Sequence, residues 1–115
     1  MNKPQAIPTT SSRVLVDDLE AQAKLATDFL KALAHEGRLM ILCHLVNGER
    51  SVNELENLLD SRQAAVSQQL ARLRLEGLVS CRREGKAIYY ALADDRVVEI
   101  ISALHGMFCA PPNPS

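Results

Sequence analysis

The sequence predicts a mainly α chain with one small β-hairpin, in the order helix, helix, helix, helix, hairpin, helix. Three observations predict it. Apolar residues recur at helical spacing over most of residues 17–76 and again after Asp94-Asp95. Between these stretches the pattern changes to two short runs, 78–83 and 87–92, flanking Glu84-Gly85-Lys86, as in a tight hairpin. All five prolines lie outside residues 17–109, so nothing interrupts the helical spans.

Each element has its own signal. Asp17 or Asp18 can cap a first helix with an apolar stripe of Leu19, Ala23, Ala26, Leu30 and Leu33. His35-Glu36-Gly37 breaks it. A second helix over 38–46 places Leu39, Leu42, Cys43 and Val46 at i, i+3, i+4 and i+7, and Asn47-Gly48 ends it. Ser51 with Glu54 forms a capping box ahead of Leu55, Leu58 and Leu59. Asp60-Ser61 starts a fourth helix, with Val66, Leu70 and Leu73 inward and Gly77 as its stop. The last helix carries Val97, Ile100, Ile101, Leu104 and Phe108. The expected organisation is a flexible N-terminal tail at 1–16, one domain at 17–109 and a Pro-rich tail at 110–115.

Composition narrows the class. At 115 residues and 47% apolar content, the chain suits one packed domain rather than a disordered one. No apolar run reaches the ~20 residues of a membrane span. The N-terminus lacks an apolar signal region, so no membrane partner and a cytoplasmic location are expected. Aromatic residues at 3% exclude a broad base-stacking platform. The three cysteines, Cys43, Cys81 and Cys109, are odd in number and form no CxxC, which argues against a disulfide framework. No nucleotide loop or clustered acid–base pair suggests an enzyme.

The formal charge of −1 hides an uneven distribution. Residues 61–90 hold six cations against two acids, a local +4, between segments of −3 and −2. Two short helices joined by a tight polar turn and followed by a hairpin form the pattern of a winged helix-turn-helix. The fourth helix offers Ser61, Arg62, Gln63, Ser67, Gln68, Gln69 and Arg72, groups able to hydrogen-bond base edges and phosphates. The hairpin adds Arg82, Arg83 and Lys86 for the DNA backbone or a minor groove. Double-stranded DNA is the expected partner. Tyr89 and Tyr90 read as strand packing.

Those stretches resemble a known family. Residues 33–42 (LAHEGRLMIL), 65–73 (AVSQQLARL), 75–79 (LEGLV), 82–86 (RREGK) and Tyr89-Tyr90 are similar to motifs of the ArsR (ArsR/SmtB) family of winged-helix repressors. The resemblance spans about residues 18–109 and departs at Gln69, where the family usually has His. It implies a homodimer, joined through the first and last helices, on an inverted-repeat operator. The independent requirement is geometric: half-sites about 34–36 Å apart need two copies of the reading helix about a twofold axis.

Many members sense metals, but ligands are missing here. Residues 51–60, where the family can carry a thiolate pair, contain no Cys or His. In the last helix Arg96 or Val97 stands where the family's Asp-x-His site needs histidine, and Phe108 follows His105 by three. No metal and no other cofactor is expected. His44 and His105 read as partly buried, and His35 as closing a turn.

The thiols remain. Cys43 alone reads as a small core hydrophobe, whereas Cys109 sits at a helix end beside the tail, open to oxidation. The pair resembles the SqrR/BigR subgroup, which implies a persulfide- and sulfide-responsive repressor. In that case a small reactive sulfur species bridges Cys43 to Cys109 and releases DNA. A plain disulfide in a general redox sensor is the first alternative, and a metalloid-responsive repressor the second. Cys81 reads as incidental.

Overall fold

The computed structural model describes residues 9–59 and 63–109, with side chains described at 15–59 and 65–109. Its elements are α1 (Thr9–Leu33), α2 (Glu36–Leu45), β1 (Arg50–Ser51), α3 (Val52–Leu59), α4 (Gln63–Leu75), β2 (Val79–Glu84), β3 (Ala87–Leu92) and α5 (Asp95–Phe108). The mainly helical class and the hairpin of the winged helix-turn-helix are both present. Two features differ from expectation. Helix α1 begins at Thr9, inside the span assigned to a tail and ahead of the Asp17/Asp18 cap. A third strand, β1, joins the hairpin in an antiparallel sheet of order β1-β3-β2. The expected cap at Asp60-Ser61 and the tail at 110–115 lie outside the described residues.

The chain divides at Lys31/Ala32 into two units, within the span that the sequence reads as one domain. In the first, α1 leaves Leu15, Val16, Leu19, Leu25 and Leu30 exposed. In the second, Ile41, Leu42, Leu45, Leu55, Val66, Leu70, Leu73, Leu78 and Val97 are buried as one core. Helices α2 and α3 both pack on α4. The inward face of α4 is the expected set, Val66, Leu70 and Leu73. Of the apolar positions on α3 and α5, Leu58 and Phe108 are exposed.

Local chemistry fixes the ends. His35 is the N-cap of α2: its Nδ1 accepts from the backbone N–H groups of Gly37 (3.0 Å) and Arg38 (3.4 Å). Asp94 caps α5 by accepting from Arg96 N at 2.9 Å. Helix α4 ends in a Schellman motif, Leu78 N to Leu73 O and Gly77 N to Arg74 O, both 3.0 Å. Gly77 takes φ +77°, a left-handed conformation that glycine adopts without a Cβ clash. Gly85, at φ +61°, opens the two-residue turn between paired Glu84 and Ala87.

The capping box is reciprocal. Glu54 N donates to Ser51 Oγ at 3.1 Å, and Ser51 N donates to Glu54 Oε1 at 2.9 Å. The backbone hydrogen bond from Ser51 holds the Glu54 carboxyl below its ordinary value, so it favours the charged form. Ser51→Ala is therefore expected to cost about 1 kcal/mol in urea unfolding at neutral pH. The Glu54 half of the cap weakens as pH falls through its lowered value, because protonation then removes the preferred acceptor. An unchanged unfolding midpoint would show that the cap contributes nothing to α3.

Candidate functional site

The DNA-facing candidates come from α4 and the β2–β3 hairpin. On α4 the buried face leaves Ser67, Gln68, Ala71 and Arg72 exposed together, as helical spacing requires. Arg72 Nε pairs with Glu76 Oε1 at 3.2 Å, one turn on. Ser61 and Arg62 lie outside the described residues, as does the side chain of Gln63. Arg83 and Lys86 are exposed, with no carboxylate partner recorded among the described residues.

Two sequence candidates are engaged elsewhere. Gln69 is half-buried and turned towards α2, where its Oε1 accepts from Arg38 Nη1 at 3.3 Å. Its Nε2 lies 3.5 Å from His35 Nε2. The amide thus ties the start of α2 to α4 instead of standing free for a base. Arg82 donates to Glu49 through Nε (3.0 Å) and Nη2 (2.5 Å), and to Glu84 through Nη1 (2.6 Å). Its guanidinium also lies 4.7 Å from the centre of the Tyr89 ring. Local sequence carries no sign of the Arg82–Glu49 pair, because its partners are 33 positions apart. Tyr89 and Tyr90 are half-buried in β3, in agreement with a packing role.

The second candidate is a groove between α2 and α5, of about 700 Å³. Leu39, Met40 and Val46 line one wall, and Ile101, Leu104 and Phe108 the other. Cys43 and Cys109 both line it. Cys43 projects from the last turn of α2 and is half-buried, while Cys109 is exposed at the C-cap of α5. Burial raises the Cys43 pKa above the ordinary thiol value, and the neighbouring Cys109 raises it further by like-charge repulsion. His105, expected to be partly buried, is exposed and lines the same groove. Sequence reasoning missed this, although His105 precedes Cys109 by one helical turn.

Cys81 stands apart. It is half-buried in β2 opposite Tyr90 and is not among the residues lining the groove. Desolvation first, and then Cys81, raise the Tyr90 pKa. Among the described residues no three His, Cys, Asp or Glu side chains gather as a metal site requires. No helix among them is long and apolar enough to cross a membrane.

A helix pair with a polar outer face, followed at once by a basic hairpin, defines a winged helix-turn-helix transcriptional regulator. The chain belongs to the arsR family of bacterial regulatory proteins, which it matches over residues 35–80. It is 52% identical over 96 residues to the biofilm growth-associated repressor of Agrobacterium fabrum, covering 81% of this chain and 82% of that one. It is 42% identical over 94 residues to the transcriptional activator HlyU of Vibrio cholerae, covering 82% and 87%. Among solved structures, the transcriptional repressor BigR from Xylella fastidiosa superposes with a TM-score of 0.80 at 42% identity, over 83% of this chain and 97% of that one. These relatives are regulators of transcription rather than enzymes.

Proposed function

We propose that this protein is a homodimeric repressor that binds an inverted-repeat operator while Cys43 and Cys109 are reduced, and releases it when reactive sulfur bridges them. The observation that carries the reading is the shared groove: two thiols far apart in the chain line one apolar cleft. The repressor descriptions of the Agrobacterium and Xylella relatives support the direction of control. A second copy would cover the exposed apolar side chains of α1 and, separately, Val98, Met107 and Phe108 of α5.

The chemistry balances with the hydropersulfide donor itself as the oxidant. The Cys109 thiolate attacks the terminal sulfur of a hydropersulfide, the donor S–S bond breaks and a thiolate leaves. Cys109 now carries S–SH, and a second transfer lengthens the chain by one sulfur. Cys43 loses its proton to water and attacks the sulfur next to the terminal SH. A new S–S bond closes the bridge and HS⁻ departs. Two thiols are oxidised as zero-valent sulfur is reduced to sulfide. Each inserted sulfur adds about 2 Å of reach, so a pair misaligned for a disulfide can still close. The bridge joins α5 to α2, which packs on α4, so closure is felt by the DNA-reading helix.

Exposure sets the order. Cys109 is open, whereas Cys43 is half-buried with a raised pKa, so less of it is thiolate at neutral pH. Pulse alkylation at pH 7 is expected to label Cys109 several-fold faster, with Cys43 catching up as the pH climbs. Faster labelling of Cys43 would reverse the assigned roles. A gel shift on reduced protein tests the reading as a whole, with arms treated with a persulfide donor, peroxide or zinc. Release by persulfide, with mass added as whole sulfur atoms, is expected. Release by peroxide alone would make this a general redox sensor, and release by zinc would overturn the thiol bridge.

A further inference from the structure

We propose that Arg82 positions the wing rather than contacting phosphate, clamping the β2–β3 hairpin to the residue before β1, while Arg83 and Lys86 carry the wing's contact with the DNA backbone. It rests on the wing meeting DNA and is independent of the thiol chemistry.

All three guanidinium nitrogens of Arg82 are already used. Nε and Nη2 hold both carboxylate oxygens of Glu49 in a fork, and Nη1 holds Glu84. One cation between two carboxylates leaves a local excess of negative charge, which repels phosphate. The Arg82 hydrogen bond keeps the Glu49 carboxyl below its ordinary value, so the pair stays ionised at neutral pH. Tyr89, directly across the ladder from Arg82, lies beneath the guanidinium and fixes its plane. Tyr89 also pairs with Ser51 of β1. The clamp therefore runs across the whole width of the sheet, from β2 over β3 to Glu49. Since Ser51 also caps α3, the wing is referenced to the first helix of the DNA-reading pair.

Arg83 is a different case. Side chains alternate along a strand, so it projects from the opposite face to Arg82. It pairs across the ladder with Ile88, close to the turn that carries Lys86. Neither cation has a recorded carboxylate partner among the described residues.

The two roles predict opposite signs for one substitution. A phosphate-binding Arg82 would be freed by Glu49→Gln, and DNA binding would tighten. A positioning Arg82 loses its anchor, and binding weakens. The probe is a fluorescein-labelled duplex of about 30 base pairs, selected in vitro by the reduced full-length protein and titrated at several salt concentrations. Arg82→Ala and Glu49→Gln are each expected to weaken binding about fivefold, and the double variant no further. Their log–log salt slopes stay at the wild-type value, whereas Arg83→Ala and Lys86→Ala each flatten the slope by about 0.9. Arg82→Lys keeps the charge but not the fork, and is expected to match Arg82→Ala. On a duplex trimmed of the flanks that the wing reaches, the deficit of Arg82→Ala disappears, which a general loss of folding would not produce. Tighter binding by Glu49→Gln, a flattened slope for Arg82→Ala, rescue by Arg82→Lys or additive losses in the double variant would each overturn the proposal.

Discussion

Cys43→Ser and Cys109→Ser are each expected to bind operator as tightly as the wild type when reduced, within about twofold, and to stay bound after persulfide treatment. Wild type should lose about 5- to 150-fold in affinity, the range of an allosteric coupling of ~1–3 kcal/mol. The reason is covalent. One serine removes one end of the bridge, and a lone persulfide cannot tie α5 to α2. Cys81→Ser should respond like wild type, because Cys81 is absent from the groove wall. Serine is close in size to cysteine, and Cys43 is only half-buried, so folding should survive the exchange. Equal loss of response in all three variants, or a normal response in Cys43→Ser, would refute the dithiol mechanism.

Leu70→Ala should produce the largest loss of stability, about 2–5 kcal/mol by urea unfolding. Leu70 is fully buried on the inner face of α4, where α2 and α3 converge. Removing its branched end leaves a void in a core whose other members, including Leu42, Leu55 and Leu73, are themselves buried. The surroundings cannot collapse without shifting the helix that bears Ser67 and Gln68. Leu75, on the same helix but 86% exposed, is the control, and Leu75→Ala should change stability by less than about 0.5 kcal/mol. A loss below about 1 kcal/mol at Leu70 would mean that this core does not hold α4.

Much of the fold was legible because its signals are local. Ser51 and Glu54 lie three apart, Gly77 closes α4, and Gly85 sits in its turn. Periodicity alone assigned the inner face of α4. What escaped depends on distant partners. Strand β1 is two residues long, too short for any alternation, and exists by pairing with Tyr89 and Tyr90. The polar run Thr9-Thr10-Ser11-Ser12 looked like a tail, yet it forms the first turn of α1. For Gln69 and Arg82 the residue type suggested DNA, but Arg38 and Glu49 decide where the side chains go. The thiol pair needed both levels. Sequence resemblance singled out Cys43 and Cys109, and folding sets them on one cleft.

Leu78 bonds backward to Leu73 at the end of α4, and its carbonyl accepts from Ala93 just past β3. One residue thus ties the end of α4 to the base of the β2–β3 hairpin. On the proposed reading, this tie constrains the distance between major-groove and flanking contacts within one half-site, and an operator has to match it. Tolerance for variant sequences would then come from how two copies tilt against each other, the same freedom that the proposed sulfur bridge would take away.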